Sequence, residues 1–282
     1  MKCIICNKNK FKKLFLMSEY SIYNKKIYPL LKCKNCGLIR PNPLPYNNST
    51  KIKVYNKADN IHFYNSKLKV IETENEDYKR YFKYFIPYQD LIKKYNIKGK
   101  ALDIGCGAGH LLEVFKKNNL ISEGTEINPL LVNALKPKFK VYFGEVENSK
   151  IKKDSYDLIT FNQVLEHIEK PEEFIKKVNE LLKQNGKIIL AVPYLYGLVP
   201  TIIRKYWYGI SKGQHLNFFS KKGLKILLER NGFEILEFKK LCVDYTHPKF
   251  PRFLNFINQK ITNFIVFIGG GDNLFVVARK IS

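Results

Sequence analysis

A short apolar segment followed at once by three alternating glycines restricts the fold of this chain more than any other feature. Residues 100–104 read Lys-Ala-Leu-Asp-Ile, Gly105, Gly107 and Gly109 follow, and an amphipathic stretch covers residues 111–117. Glycine lets the backbone approach a ligand closely, and the first turn of a helix offers N–H groups without a partner in the helix. The stretch therefore predicts a strand, a glycine turn and a helix N-terminus that form a nucleotide-binding corner.

Two acidic residues support this interpretation. Asp103 lies two residues before the first glycine. Glu126 ends a second apolar stretch about twenty residues later, where an acidic side chain can bind ribose hydroxyls. The spacing is G-x-G-x-G rather than the G-x-G-x-x-G of dinucleotide enzymes. The alternative, that the glycines only make a tight turn, is weakened by the acidic residues and by the segments that follow.

Apolar runs and helical patterns alternate along the rest of the chain. Strands are expected near 100–104, 121–126, 139–143, 156–161 and 186–192, and helices near 109–118, 128–135, 171–184 and 220–231. Pro171 and Ser220 are typical of helix starts, and Asn185-Gly186 and Asn231-Gly232 of helix ends. Residues 233–238 and 273–279 read as two final strands. Alternation of this kind predicts an α/β fold with helices on both faces of a parallel sheet.

Further segments complete a recognisable order of motifs: Gly144-Glu-Val146, Tyr156 to Ile168 and Gly186 to Pro193. Over roughly residues 96–282 the chain resembles the class I S-adenosylmethionine-dependent methyltransferases. The resemblance implies a Rossmann-like, seven-stranded, mostly parallel sheet with an antiparallel edge strand. It also implies S-adenosylmethionine as cofactor and methyl transfer as the reaction.

The resemblance also implies a set of cofactor-binding residues. The glycine loop would approach the methionine part, with Asp103 supporting it, and Glu126 would hold the ribose. Glu145 and Val146 would flank the adenine, and Asn162 would lie beside the sulfonium. The full expected set is Asp103, Gly105, Cys106, Gly107, Gly109, Glu126, Ile127, Glu145, Val146 and Asn162.

Four cysteines near the N-terminus form two pairs, Cys3-x-x-Cys6 and Cys33-x-x-Cys36, separated by 26 residues. Two such pairs are typical of a closed tetrahedral metal site, which stabilises a module too small to fold on its own core. We expect a zinc ribbon with structural Zn²⁺, and iron is the alternative metal. The other alternative is free thiols or disulfides, and disulfides are disfavoured because no secretion signal precedes the first pair.

Changes in composition divide the chain into three parts. Residues 1–45 are the expected zinc-ribbon module, and Pro41 to Ser49 reads as a turn-rich linker. Residues 46–98 are expected to hold a linker and a helical lid region, although a core face is the favoured role for most of the aromatic residues between 74 and 95. Residues 99–282 form the expected cofactor-binding domain, with insertions near 194–219 and 241–271.

The net charge of +24 raises the question of a nucleic-acid partner. Residues 1–50 carry 10 basic and 1 acidic side chains, whereas residues 101–200 carry 13 of each. Lys far outnumbers Arg, the residue that makes bidentate contacts with phosphates and bases. A Lys-rich solvated surface is therefore favoured over an RNA-binding flank. Because the sequence shows neither a signal peptide nor an apolar run long enough to span a bilayer, we expect a cytoplasmic protein.

Two histidines are the candidate catalytic bases. His167 follows the fourth predicted strand, and His215 ends the aromatic insertion near 194–219. Histidine titrates near neutral pH and suits proton removal from an acceptor hydroxyl. A structural role is the alternative for His167, and Glu166 is a weaker candidate.

The cysteine pairs, Leu165-Glu-His-Ile168 and His215 to Ser220 also resemble bacterial methyltransferases that act on sugars. The chain reaches residue 282 without the extra C-terminal domain of the longer sugar C-methyltransferases, so we expect O-methylation of a sugar or related small molecule in surface-glycan biosynthesis. An RNA methyltransferase that grips rRNA or tRNA with a basic zinc ribbon is the first alternative. A non-catalytic zinc-ribbon adaptor is the second.

Overall fold

A computed structural model describes residues 1–14, 28–45, 84–203, 207–211, 215–241, 264 and 270–282. Two sheets organise these residues. The smaller sheet has three antiparallel strands in the order β1-β2-β3 and lies in the N-terminal module. Its strands are β1 (Phe11–Lys13), β2 (Leu30–Cys33) and β3 (Ile39–Pro41).

The larger sheet has seven strands in the order β6-β5-β4-β7-β8-β10-β9. These are β4 (Lys100–Ile104), β5 (Ile121–Glu126), β6 (Lys140–Phe143), β7 (Tyr156–Asn162), β8 (Leu182–Pro193), β9 (Phe233–Leu241) and β10 (Asn273–Lys280). The first five pair in parallel, and β10 pairs antiparallel with both β8 and the edge strand β9. This confirms the predicted seven-stranded, mostly parallel sheet.

Seven helices of the described ranges surround this sheet or link its strands. They are α1 (Ile86–Lys94), α2 (His110–Lys117), α3 (Pro129–Leu135), α4 (Pro171–Leu181), α5 (Leu198–Ile203), α6 (Tyr208–Ser211) and α7 (Lys221–Arg230). Most of their buried apolar side chains fall into two large clusters, each built with residues of the central strands, and Ile210 of α6 packs in a third, smaller cluster. Helices on both faces of a buried parallel sheet match the expected layers.

Local signals set several helix ends as predicted. Ser220 caps α7 by accepting a hydrogen bond of 2.9 Å from Gly223 N, and Asn231 ends it. Pro171 occupies the first turn of α4, where its missing N–H costs nothing.

The predicted end of the helix at 171–184 is wrong. α4 ends at Leu181, and β8 begins at Leu182. Asn185-Gly186 lies inside β8, where the pairing with β7 shifts between Tyr156–Leu182 and Leu158–Lys187. Asn185 has a φ of 63°, the left-handed conformation that often ends helices. Here the same conformation accompanies the shift in register within the strand.

Parts of the predicted organisation lie outside the described residues. These parts are most of the lid region (residues 46–83) and most of the insertion 241–271, including Cys242. Residues 15–27 of the N-terminal module belong with them. Of the helices in the described ranges, none is both long and apolar enough to cross a membrane.

Candidate functional site

The glycine turn after β4 adopts the backbone conformation that its sequence predicts. Gly105, Gly107 and Gly109 have φ values of 69°, 54° and 79°, a region that L side chains rarely occupy. A Cβ at Gly105 would lie 2.8 Å from Val164, and one at Gly109 would lie 2.7 Å from Leu135. A Cβ at Gly107 would approach no atom more closely than 4.0 Å. Gly107 thus borders open space, as a ligand-facing glycine should.

Glu126 at the end of β5 is bound to the same turn. One carboxylate oxygen accepts a hydrogen bond of 2.8 Å from Gly107 N, and the other accepts bonds from Ile127 N and Asn128 N at 2.8 and 2.9 Å. Cys106 N also bonds to the Thr125 carbonyl, at 2.9 Å. The carboxylate therefore stands at the turn, where the carboxyl ends of the parallel strands meet.

Asp103 lies beneath the turn rather than on its surface. The side chain accepts a hydrogen bond of 2.6 Å from the Thr160 hydroxyl on the neighbouring strand β7. Burial raises its pKa to about 7, the charge of Glu126 adds to the rise, and the Thr160 hydrogen bond opposes it. This position suits the supporting role that the resemblance implied.

The remaining expected cofactor contacts surround the same edge of the sheet. Gly144, directly after β6, has a φ of 111° and open space where a Cβ would be. Glu145 is half-buried, and Val146 is buried in the main core. Cys106 is also buried, with its sulfur packed against Gly124.

Asn162, at the end of β7, is held by a residue from outside the glycine-turn region. The hydroxyl of Tyr88 on α1 donates a hydrogen bond of 2.9 Å to its Oδ1. Tyr88 is fully buried, and its pKa is raised well above the usual value by burial and by the charges of Asp103 and Glu166. Tyr88 therefore orients the side chain of a predicted cofactor-binding residue.

These residues fit S-adenosylmethionine. Gly107 and Gly144 leave space on both sides of the end of β5, and an acidic side chain stands between them. The N-terminus of α2 adds N–H groups directly after the turn. The predicted cofactor residues thus come together at one edge, and no described side chain fills the space beside Gly107.

The two candidate histidines lie against each other and against Glu166. The ring centroids of His167 and His215 are 4.8 Å apart with the rings nearly perpendicular. Their Nε2 atoms lie 3.9 and 4.0 Å from the same oxygen of Glu166. Residues 48 positions apart in the chain thus form a single cluster, which we call the histidine cluster.

Glu166 is the deepest member of the histidine cluster. Its side chain is fully buried, and neither carboxylate oxygen has a hydrogen-bond partner within the described chain. Burial raises the pKa of Glu166 to about 8. Because a buried carboxylate without hydrogen bonds is costly, an ionised Glu166 and a protonated histidine beside it would stabilise each other. The sequence ranked Glu166 below the histidines, and its burial was the property that the sequence did not show.

The four N-terminal cysteines converge as a metal site requires. The sulfurs of Cys3 and Cys36, and of Cys6 and Cys33, are each 3.5 Å apart, and all four lie within 4.8 Å of one another. Four thiolates around one zinc ion would be separated by about 3.8 Å. The five cysteines that the structure describes, including Cys106, are free thiols. The donor set and spacing fit a structural Zn²⁺ site.

Three residues of the site region were missed by sequence reasoning. Tyr88, Thr160 and Asn217 are polar side chains that the chain pattern does not distinguish from others of their type. Asn217 donates a hydrogen bond of 2.6 Å to the Ile168 carbonyl and so connects the two histidine segments. Its position two residues after His215 was the available signal.

Comparison with known proteins agrees with this geometry. Residues 73–237 match the family described as "Methyltransferase domain". The match covers more than half of the chain, and the chain therefore belongs to this family. The sequence identification of a class I S-adenosylmethionine-dependent methyltransferase domain is confirmed.

Curated relatives are named ubiquinone biosynthesis O-methyltransferases. The mitochondrial protein of Schizosaccharomyces pombe is 29% identical over 102 residues, which cover 33% of this chain and 37% of that protein. The Coxiella burnetii protein is 26% identical over 154 residues, which cover 46% of this chain and 66% of that protein. The chain thus matches between about a third and two thirds of the length of these relatives.

Solved structures share the fold at low identity. An S-adenosylmethionine-dependent methyltransferase from Archaeoglobus fulgidus superposes with a TM-score of 0.51 at 21% identity, over 68% of this chain and 93% of that one. One from Mesorhizobium loti gives 0.51 at 14% identity, over 65% and 92%. These similarities support the Rossmann-like fold of the domain.

Proposed function

We propose that this protein transfers a methyl group from S-adenosylmethionine to a hydroxyl oxygen of a sugar or related small molecule, in surface-glycan biosynthesis. The observation that carries the proposal is the histidine cluster, in which Glu166 and His167 follow Asn162 of the predicted cofactor edge by four and five residues. Two relatives whose names contain O-methyltransferase support oxygen as the accepting atom.

In the proposed reaction the protein needs to position the acceptor and to remove the proton of its hydroxyl. S-adenosylmethionine supplies an activated methyl group on a sulfonium. The acceptor hydroxyl would receive the methyl group on its oxygen and give its proton to a ring nitrogen of His215 or His167. Glu166 lies beside the imidazolium that forms, because the two Nε2 atoms are 3.9 and 4.0 Å from its Oε1, and its ionised form would stabilise that charge.

We propose roles for the rest of the chain on the same basis. Asp103, the Gly105–Gly109 turn, Glu126 with Ile127, Glu145 with Val146, and Asn162 bind the cofactor. Residues 1–45 form a structural Zn²⁺ module through Cys3, Cys6, Cys33 and Cys36. Residues 46–98 lead into the methyltransferase domain at 99–282, and the insertion near 194–219 contributes to the acceptor pocket.

The test is transfer of radiolabelled methyl groups into an extract of the source cells. Products are separated into nucleic acid, protein, lipid-linked glycan and small-molecule fractions, with and without ribonuclease. Label in nucleotide-sugar or glycan fractions that survives ribonuclease is the expected result. Label lost to ribonuclease would replace the proposal with RNA methylation, and label in no fraction together with no binding of S-adenosylmethionine would favour an adaptor.

Two single variants, His215→Ala and His167→Ala, serve as matched controls in the same extract. Both variants should bind S-adenosylmethionine as the unchanged protein does, because the histidines are not in the cofactor set. Label that depends on both histidines would tie the product to the histidine cluster. Label that survives both changes would remove them as bases.

A further inference from the structure

The N-terminal metal module packs directly against the segment that carries His215. Ile39 N donates to the Phe218 carbonyl at 3.0 Å, and Phe218 N donates to the Ile39 carbonyl at 2.9 Å. The Ser220 hydroxyl donates to the carbonyl of Cys36, one of the four cysteines. The segment 215–220 is therefore bound to the module through both backbone and side chain.

Arg40, at the centre of β3, reaches both histidine segments. Its Nε lies 3.4 Å from the Leu216 carbonyl, and its Nη2 lies 3.4 Å from the Glu169 carbonyl. Leu216 directly follows His215, and Glu169 is two residues after His167. The planar guanidinium holds its donors in a fixed arrangement, so it sets the separation of two acceptors more strictly than a lysine can.

The two histidine segments are also bonded to each other. The Glu166 carbonyl accepts hydrogen bonds from Leu216 N at 2.8 Å and from Asn217 N at 3.0 Å. The Asn217 side chain donates to the Ile168 carbonyl at 2.6 Å. Arg40 adds a bridge that comes from outside both segments, on the strand that follows the second cysteine pair.

We propose that the four-cysteine module is the positioning element of the histidine cluster, with Arg40 as the positioning residue that sets the distance between His167 and His215. The inference rests on the proposed function for its kinetic consequence. Metal bound by the cysteines keeps β3 in place, and β3 keeps Arg40 between the two segments. Loss of the metal or of the Arg40 guanidinium then misplaces the histidines while the cofactor edge stays intact.

The expected kinetic effect follows from geometry. A misplacement of about 1 Å in a reacting group can cost on the order of a hundredfold in rate. Arg40→Ala should lower the maximal rate of label transfer, at saturating S-adenosylmethionine, roughly tenfold to a hundredfold. The dissociation constant for S-adenosylmethionine should stay within about twofold, because the hydrogen bonds of Arg40 go to Leu216 and Glu169. Arg40→Lys should retain part of the rate, because a lysine ammonium can still donate to these carbonyls but lacks the fixed fork of the guanidinium.

The matched control is Arg279→Ala on β10, which removes an arginine from a partly exposed pair with Glu234. That variant should keep both the rate and the affinity. Treating the zinc-loaded protein with a chelator should lower the rate as Arg40→Ala does and leave the affinity unchanged. A rate in Arg40→Ala within twofold of the unchanged protein would overturn the inference.

A second readout needs no acceptor. NMR signals of the histidine rings, assigned by single substitutions, should shift for His167 and His215 in Arg40→Ala and on metal removal. The signal of His110, which begins α2 and stacks on Phe85, should not shift. If the unchanged protein transfers no label but these shifts appear, the proposed function fails and the positioning role stands. If the rings of His167 and His215 give unchanged signals, the positioning role fails.

Discussion

The hydroxyl of Tyr88 donates a hydrogen bond of 2.9 Å to the Oδ1 of Asn162, across 74 residues of sequence. Tyr88 lies on α1, before the first strand of the large sheet, and Asn162 ends β7, the fourth strand of that sheet in chain order. The bond fixes the orientation of an amide that the resemblance places beside the sulfonium. It thus makes α1 part of the expected cofactor site.

Tyr88→Phe should weaken the binding of S-adenosylmethionine, because the Asn162 amide loses the group that orients it. The dissociation constant is expected to rise about fivefold, and the free energy of unfolding to fall by about 1 kcal/mol for the lost buried hydrogen bond. Isothermal titration and urea unfolding measure the two effects. Tyr95→Phe is the control, because Tyr95 caps the C-terminus of the same helix and donates to Glu237 at 3.0 Å. Equal affinities for both variants would refute the role of the bond.

Gly107→Ala should impair cofactor binding more than stability. A Cβ there enters open space beside the turn, and the φ of 54° makes alanine unfavourable by about 1–2 kcal/mol. We expect the dissociation constant for S-adenosylmethionine to rise at least tenfold. Gly232→Ala, with a φ of 79° beside Ser282, should lose stability without losing affinity. If Gly107→Ala bound the cofactor normally, the turn would not face it.

Glu166→Gln should change how stability depends on pH. Burial raises the folded pKa of Glu166 to about 8, above its unfolded value near 4.5. The folded state therefore holds a proton that the unfolded state releases between those pH values, and stability decreases as pH rises through that window. Glutamine cannot ionise, so the variant should gain stability over the unchanged protein on the order of a few kcal/mol by pH 9.

Melting temperatures at pH 5 and pH 9 measure this effect. The two proteins should melt within a few degrees at pH 5, and the variant should melt higher at pH 9. Glu145→Gln, at a half-buried position on the cofactor edge, is the comparison. A constant difference across the range would mean that Glu166 is ionised throughout, paired with a protonated histidine.

The variants His215→Ala and His167→Ala should show which of the two histidines is the general base. The loss of a general base typically slows the chemical step by 10²–10⁴-fold, on the order expected for one of the two variants. The other should show a smaller loss and a shifted pH–rate profile, because its ring packs 4.8 Å from the base. Rates from pH 5 to 9 identify which is which, and profiles unchanged in both would exclude the cluster from proton transfer.

Cys36→Ser should remove the bound metal and destabilise the module. Three thiolates hold zinc far more weakly than four, and the small module buries little apolar surface of its own. We expect metal content to fall from one to near zero per chain and thermal unfolding to begin at a lower temperature. Cys106→Ser, a buried cysteine of the glycine turn, should keep the metal. Full metal content in Cys36→Ser would exclude the four-cysteine site.

The sequence by itself determined those features that depend on neighbouring residues. The order of strands and helices, the glycine turn, the caps at Ser220 and Asn231 and the paired cysteines all follow from local spacing and backbone preference. The error at Asn185-Gly186 has the same origin, because a left-handed residue signals a helix end and a strand irregularity equally well.

Only the tertiary structure decided which distant residues meet. The contact of Glu166 with His167 and His215, the bond from Tyr88 to Asn162 and the reach of Arg40 to Leu216 and Glu169 each join separate segments. Burial depends on the packed sheet in the same way, so the raised pKa of Glu166 was not visible in the chain. Spacing along a sequence sets local conformation, whereas proximity and desolvation arise only when the layers pack together.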